Sequence, residues 1–220
     1  MLRAVIFDVD GTIVDSNELH VESWHETFRK YGKHFSRDQL RRHIGEGADQ
    51  YMPNFLSEQE MREFGKELEE DRGALYKKKY LPRVKPFPRV RELFERIHAG
   101  GKRIALASSG KAEELEHYRA LCHIGDLVDA QTTKDDVVHS KPYPDVFMAA
   151  LNRLGRLAPD EAIAIGDSPF DVIAAKKITL PTIALLCGGF PEDELRAQGA
   201  VAVFRDPADL LESYEGSPLS

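Results

Sequence analysis

The 220-residue chain has only two cysteines, Cys122 and Cys187, each in an apolar context. That excludes a disulfide framework and fits buried free thiols in a reducing compartment, so a cytoplasmic protein is expected. No hydrophobic run approaches membrane-spanning length. The N-terminal apolar stretch is short and leads straight into Asp8, so neither a signal peptide nor a membrane partner is expected. Positive charge is not in excess: 30 Lys and Arg against 37 Asp and Glu leave a net charge of -7, which argues against nucleic acid as the main partner. Internal repeats and low-complexity tracts are absent as well. The composition that remains, 42% hydrophobic and 30% charged, is that of an ordinary globular protein with room for a sizeable core and a smaller insert.

Apolar, strand-like runs occur at 3–9, 103–108, 127–132, 162–165, 182–186 and 201–204. Helix-like segments at 89–99, 112–121, 144–154, 170–177 and 191–198 separate the later ones. Alternation of this kind predicts an α/β fold with a Rossmann-like parallel sheet covered on both faces. Residues 16–81 break the pattern and show no strand. Ser16 is placed to cap a helix reaching about Tyr31, with Leu19, Trp24 and Phe28 on its apolar side, and further helices are expected at 37–44 and within the Glu- and Lys-rich stretch 58–80. The expected organisation is a core from 1–15 and 82–220 and an all-helical unit from 16–81 inserted after the first strand.

Ligands of parallel sheets bind beyond the carboxyl ends of the strands. Asp8, Ser108 and Asp167 all fall at such ends. Asp8 and Asp10 lie two residues apart, where period two would point them to one side. Two carboxylates that close stay ionised together only around a cation, or one of them takes a proton. The pair suits phosphoryl chemistry, in which one carboxylate attacks phosphorus and its neighbour moves the proton.

Four segments in order resemble the motifs of the haloacid dehalogenase superfamily in its phosphatase form: Asp8-Val9-Asp10-Gly11-Thr12, Ile104-Ala105-Leu106-Ala107-Ser108, Lys141-Pro142, and Gly166-Asp167-Ser168-Pro169-Phe170-Asp171. The resemblance spans the chain and extends to phosphoglycolate phosphatase and β-phosphoglucomutase-like proteins with a helical cap. It implies Asp8 as nucleophile, Asp10 as general acid and base, and Lys141 as a cation shared by Asp8 and the phosphoryl group. Ser108 is the expected phosphoryl contact, with Ser109 as its rival; either could instead cap the next helix. Gly11 and Thr12 are expected to offer backbone donors to the phosphate. The implied cofactor is Mg²⁺, held by the Asp8 side chain, the Asp10 backbone oxygen and Asp167. Asp171 either joins the cation or serves as an acidic first-turn residue of its helix.

The resemblance also brings His20, on the first helix of the insert, as a substrate or proton-handling residue, against the alternative of a packed histidine. Trp24, one turn further, reads as core. Mutases of the group carry a basic residue in the loop that here reads Ile44-Gly45-Glu46-Gly47-Ala48-Asp49. The acids at Glu46 and Asp49 count against a mutase unless Arg41, Arg42, His43 or Arg72 compensates. A second departure, Ile178-Thr179 where the family has a small residue and glycine, predicts a locally altered turn. The implied activity is hydrolysis of a small phosphorylated metabolite by a monomer or homodimer. The alternatives are a sugar-phosphate mutase and a non-catalytic phosphate- or metal-binding regulatory protein.

Overall fold

The computed structural model describes residues 1–220. The chain opens with strand β1 (Ala4–Phe7), and the short β2 (Val14–Asp15) follows one tight loop later. Helices then dominate: α1 (Asn17–Lys30), α2 (Arg37–Arg41) and α3 (Ala48–Tyr51). A continuous helical run follows. It begins with α4 (Glu58–Glu60), passes through a π segment at Met61–Gly65 into α5 (Lys66–Leu75), and ends in a second π segment at Tyr76–Tyr80. Strand β3 (Lys85–Pro86) returns the chain to the sheet side. From there helices and strands alternate: α6 (Val90–Ala99), β4 (Arg103–Ala107), α7 (Ala112–Leu121), β5 (Ala130–Thr132), α8 (Asp145–Arg153) and β6 (Ala162–Gly166). The last elements are α9 (Pro169–Lys176), β7 (Thr182–Leu185), α10 (Glu192–Gln198), β8 (Ala202–Phe204) and α11 (Pro207–Glu212).

Six strands form one sheet in the order β5-β4-β1-β6-β7-β8, every pair parallel. β1 is central, with Phe7 in register with Leu106 on one side and Ile165 on the other. The α/β, Rossmann-like reading therefore holds. The register brings the loops that follow β1, β4 and β6 side by side at one sheet edge.

The two faces of the sheet differ in bulk. Val5, Phe7, Ile104, Leu106, Ile163 and Ile165 point to one face and pack with Leu93, Phe94 and Ile97 of α6 and with Leu115 and Tyr118 of α7. Alternate positions on the same strands, Ala4, Ile6, Ala105, Ala107, Ala162 and Ala164, point to the other face. There these side chains, all alanine but Ile6, meet α8 and α9. The helical segment between β2 and β3 has its own apolar cluster, built on Val21, Trp24, Phe28, Leu40, Tyr51 and Leu68. The chain leaves for this segment and returns through β2 and β3, which pair antiparallel, Val14 with Pro86 and Asp15 with Lys85.

Element ends differ from the sequence reading for identifiable reasons. Ser16 precedes α1 but does not cap it, because its hydroxyl donates to Asp10 instead. The helix expected from residue 89 starts at Val90, since Arg89 sits in the left-handed region at φ 61°. The strand expected over 127–132 is reduced to Ala130–Thr132, because the Leu127 N–H closes a turn onto Ile124 and the Asp129 side chain accepts from the Ile104 N–H. The altered turn after α9 is present. Thr179 adopts φ 59°, and the Thr179 and Leu180 N–H groups reach back to the Lys176 and Ala175 carbonyls. This is a Schellman closure with threonine where glycine fits best. No helix is long and apolar enough to cross a membrane.

Candidate active site

Asp8 leaves the end of β1 with its N–H tied to the Ile165 carbonyl at 2.8 Å. Its side chain is largely buried and contacts Lys141 Nζ through Oδ1 and the Thr12 hydroxyl, at 3.1 Å, through Oδ2. Thr12 donates also toward Asp167 Oδ1 at 2.9 Å, and Asn17 Nδ2 donates to Asp167 Oδ2 at 2.9 Å. Asp171, in the first turn of α9, divides its two oxygens. Oδ2 accepts from the Ser168 hydroxyl at 2.6 Å, closing a capping box, while Oδ1 lies 2.7 Å from Lys141 Nζ. The first-turn reading of Asp171 is seen in the capping box, and its other oxygen is turned to Lys141.

Asp8, Asp167 and Asp171 are all buried, and each offers an oxygen within 4.8 Å of the others. Lys141, almost wholly buried, is the one ammonium among them and also donates to the Ala107 carbonyl at 3.2 Å. Burial opposes its charge, but Asp171 and Asp8 hold Lys141 above the ordinary lysine range. Burial, partly offset by Lys141 and reinforced by Asp171, pushes Asp8 up to about 7. Burial and the charges of Asp8 and Asp171 raise Asp167 well above the usual carboxylate range. Three carboxylates against one ammonium is a charge excess that favours a cation.

Gly11 makes the turn possible. It adopts φ 77°, and a Cβ there would lie 2.4 Å from Asp167 Oδ2. The expectation that Gly11 and Thr12 offer backbone donors to a phosphate is corrected: their N–H groups are spent inside the turn, on Val14 and Val9 carbonyls. Thr12 has no exposed surface, and its hydroxyl serves the two carboxylates.

Asp10 belongs to a second network. Its Oδ1 accepts from the Ser16 hydroxyl at 2.6 Å and from His20 Nε2 at 2.8 Å. Burial alone would raise Asp10, but His20, Ser16 and the Tyr118 hydroxyl outweigh it and hold the carboxylate at about 2. His20 stacks on Tyr76 with centroids 4.1 Å apart, and the Tyr76 and Tyr118 hydroxyls bond at 2.7 Å. Arg72 contacts His20 Nδ1 and lies over the Trp24 and Tyr76 rings, 4.9 Å from each centroid. A guanidinium can only donate, so Nδ1 is the acceptor and Nε2 carries the proton given to Asp10.

Ser108 is buried at the end of β4, and its Oγ accepts the Gly110 N–H at 2.9 Å. The Ser109 hydroxyl has no protein partner and lines the cavity above Asp8. Neither serine caps α7; that position is Lys111. The cavity, about 100 Å³, lies between the strand-end loops and the helical segment, which contributes His20, Trp24, the 44–48 stretch and Arg72. Of the four basic residues named for the 44–49 loop, Arg72 alone lines it, and Arg41 is held by Glu18 and Asp38. Asp49 accepts from the Ser140 N–H at 3.1 Å, next to Lys141.

Sequence reasoning missed Asn17, Tyr118 and Glu114, and read Ser16 only as a helix cap. Asn17 and Ser16 adjoin the Asp8 motif, and that proximity was the available signal. Tyr118 and Glu114 lie on an amphipathic helix with nothing local to mark them.

This arrangement, acidic side chains gathered at the strand ends of a parallel sheet, belongs to an α/β hydrolase. Residues 5–185 match the family described as haloacid dehalogenase-like hydrolase, and the chain belongs to it. Among relatives, it is 29% identical over 216 residues to the phosphorylated carbohydrates phosphatase of Thermotoga maritima, covering 96% of this chain and 97% of that one. It is 30% identical over 176 residues to pyrophosphatase PpaX of Bacillus velezensis, covering 80% and 79%. The structure superposes on a hydrolase from Pseudomonas syringae with a TM-score of 0.87 at 27% identity, covering 97% and 98%.

Proposed function

We propose that the protein is a Mg²⁺-dependent phosphatase that hydrolyses a small phosphomonoester through an aspartyl-phosphate on Asp8. The observation that carries this reading is the buried cluster of Asp8, Asp167 and Asp171 around the single ammonium of Lys141. The names of the relatives, a phosphorylated-carbohydrate phosphatase and a pyrophosphatase, support phosphoryl transfer to water.

The donor set suits the cation. Its oxygens come from carboxylates and its negative charge exceeds what Lys141 offsets, a combination favoured by Mg²⁺. Asp8, Asp167 and the Asp10 backbone oxygen would hold it, with Asp171 beside them. When bound, the cation offsets the charge of the carboxylates and of the phosphoryl group.

In the reaction, an Asp8 carboxylate oxygen attacks phosphorus and the ester P–O bond breaks. The leaving oxygen takes a proton from the protonated form of Asp10 and departs as an alcohol. A water then gives its proton back to Asp10 and attacks the same phosphorus. The bond to Asp8 breaks, and phosphate is released. Lys141 spreads the phosphoryl charge, and the Ser108 or Ser109 hydroxyl donates to a phosphoryl oxygen. His20 holds Asp10 in place.

Residues 16–81 act in this reading as a cap over a core of 1–15 and 82–220, with the β2–β3 pair as the crossing about which the cap moves. Closure would exclude water until substrate is seated. The 44–49 loop carries Glu46 and Asp49, which does not favour a mutase handling a second phosphate.

The test is phosphate release from a panel of small phosphomonoesters, with Mg²⁺ and with EDTA, for wild type and Asp8→Asn. Release that needs Mg²⁺ and vanishes in Asp8→Asn is expected. A long-lived phosphorylated Asp8 without phosphate release would shift the assignment to a mutase.

A further inference from the structure

Glu114 is a carboxylate without a protein partner. It lies in the first turn of α7, is 8% exposed, and lines the cavity above Asp8, yet no hydrogen bond or ion pair reaches it. Its carboxylate opens on the cavity, and a carboxylate with so little water contact takes donors for its oxygens from whatever the cavity holds. A carbon placed on Gly110 would sit 3.1 Å from Ser108 Oγ, 3.2 Å from Glu114 Oε2 and 4.0 Å from Asp10 Oδ2. The free carboxylate therefore converges on the same small space as the phosphoryl-facing serine and the residue assigned to the leaving oxygen.

A second acid, Glu46, enters the cavity from the helical side; Asn54 Nδ2 donates to it at 2.8 Å and His43 Nδ1 lies 3.5 Å away. The cations there are mostly committed. Lys134 is 2.6 Å from Glu69, and Arg72 is engaged by His20 and by the Ser23 hydroxyl at 3.1 Å. Lys111 is exposed and lies against Gly73.

We propose that Glu114, aided by Glu46, selects the leaving group by accepting hydrogen bonds from hydroxyls next to the ester oxygen and by repelling a second phosphate. This rests on the phosphatase reading above. A polyhydroxylated alcohol supplies the O–H donors that Glu114 lacks. The leaving group of pyrophosphate is an anion rich in acceptors, and it meets two carboxylates. The structure thus favours a carbohydrate-like phosphomonoester over pyrophosphate.

The test compares kcat/KM for glycerol 3-phosphate, n-propyl phosphate and pyrophosphate in wild type, Glu114→Ala and Glu114→Gln. The first two leaving groups differ only by hydroxyls. Glu114→Ala is expected to lower kcat/KM for glycerol 3-phosphate by roughly 10- to 100-fold, the worth of hydrogen bonds to a charged group, while changing n-propyl phosphate by less than about threefold. Glu114→Gln keeps the shape and removes the charge, and should raise pyrophosphate hydrolysis about tenfold. If Glu114→Ala does not fold, the Glu114→Gln pyrophosphate measurement decides. Equal losses on both esters in a folded variant, or unchanged pyrophosphate hydrolysis in Glu114→Gln, would overturn the proposal alone. No release from any ester by wild type would overturn the phosphatase reading and this one with it.

Discussion

His20 Nε2 lies 2.8 Å from Asp10 Oδ1 and ties the first helix of the helical segment to the loop after the central strand. Because Arg72 occupies Nδ1 as a donor, the His20 Nε2–H donates to Asp10, and the carboxylate proposed as the acid of the reaction is positioned from outside the sheet.

Removing this contact has a definite sign. His20 is among the groups that hold Asp10 at about 2 against burial, so in His20→Ala the Asp10 pKa rises. The protonated Asp10 that serves the leaving oxygen then persists to higher pH, so the alkaline limb of the kcat/KM profile should move to higher pH. A pH–rate series on wild type and His20→Ala checks this.

Stability without metal should fall as pH rises. Asp8 is raised in the folded protein to about 7 from 3.8, so folding favours its protonated form. Its contribution is complete below the unfolded value and is lost as pH climbs through the folded one. The melting-temperature difference between wild type and Asp8→Asn in EDTA should therefore move against wild type between about pH 4 and 7. Mg²⁺ should restore wild type more at pH 8 than at pH 5, because it binds the ionised carboxylates. Calorimetry over that range, with the variant as reference, measures it.

Gly188 is fitted closely against a proposed metal ligand. A Cβ there would lie 1.7 Å from Asp167 Oδ2, and its carbonyl accepts from Asn17 Nδ2 at 2.9 Å. Gly188→Ala must displace Asp167. The expected result is a folded protein whose Mg²⁺ requirement rises at least about tenfold, the scale of lost ligand support. An unchanged Mg²⁺ titration of activity would refute it.

Thr179 is strained. A β-branched residue at φ 59° carries a left-handed penalty of about 1–2 kcal/mol, which glycine avoids at some cost in unfolded-state entropy. Thr179→Gly should stabilise the protein by about 1 kcal/mol on these terms, with activity unchanged, since the turn closes α9 at the end away from Asp171. Urea unfolding of the two proteins reads the difference.

Much of the architecture lies in short-range pattern. The two-residue period of Val5, Phe7, Ile104 and Leu106 against Ala4, Ala105 and Ala107 needs no tertiary information to mark buried strands, and neither does the placement of Asp8, Ser108 and Asp167 at their ends. Each of those features is local in the chain. The altered turn at Thr179 was legible for the same reason. Ser16 and Thr12 were misread because a hydroxyl's partner depends on which acceptor folding brings near. Ser16 faces Asp10 rather than the helix it precedes, and Thr12 lies between two carboxylates that are 159 positions apart in the chain, Asp8 and Asp167.

The sequence by itself determined the strands, their order of chemistry-bearing ends and the helical insert, because backbone periodicity is written in adjacent residues. Tertiary structure decided what each polar group does. Packing of α7 and α1 around the Asp10 loop sets the bonding of Asp10 through Tyr118 and His20, with Tyr76 and Arg72 behind them, and leaves Glu114 without a protein partner. Those outcomes depend on distances between residues far apart in the chain. Burial then turns each such distance into a shift of charge.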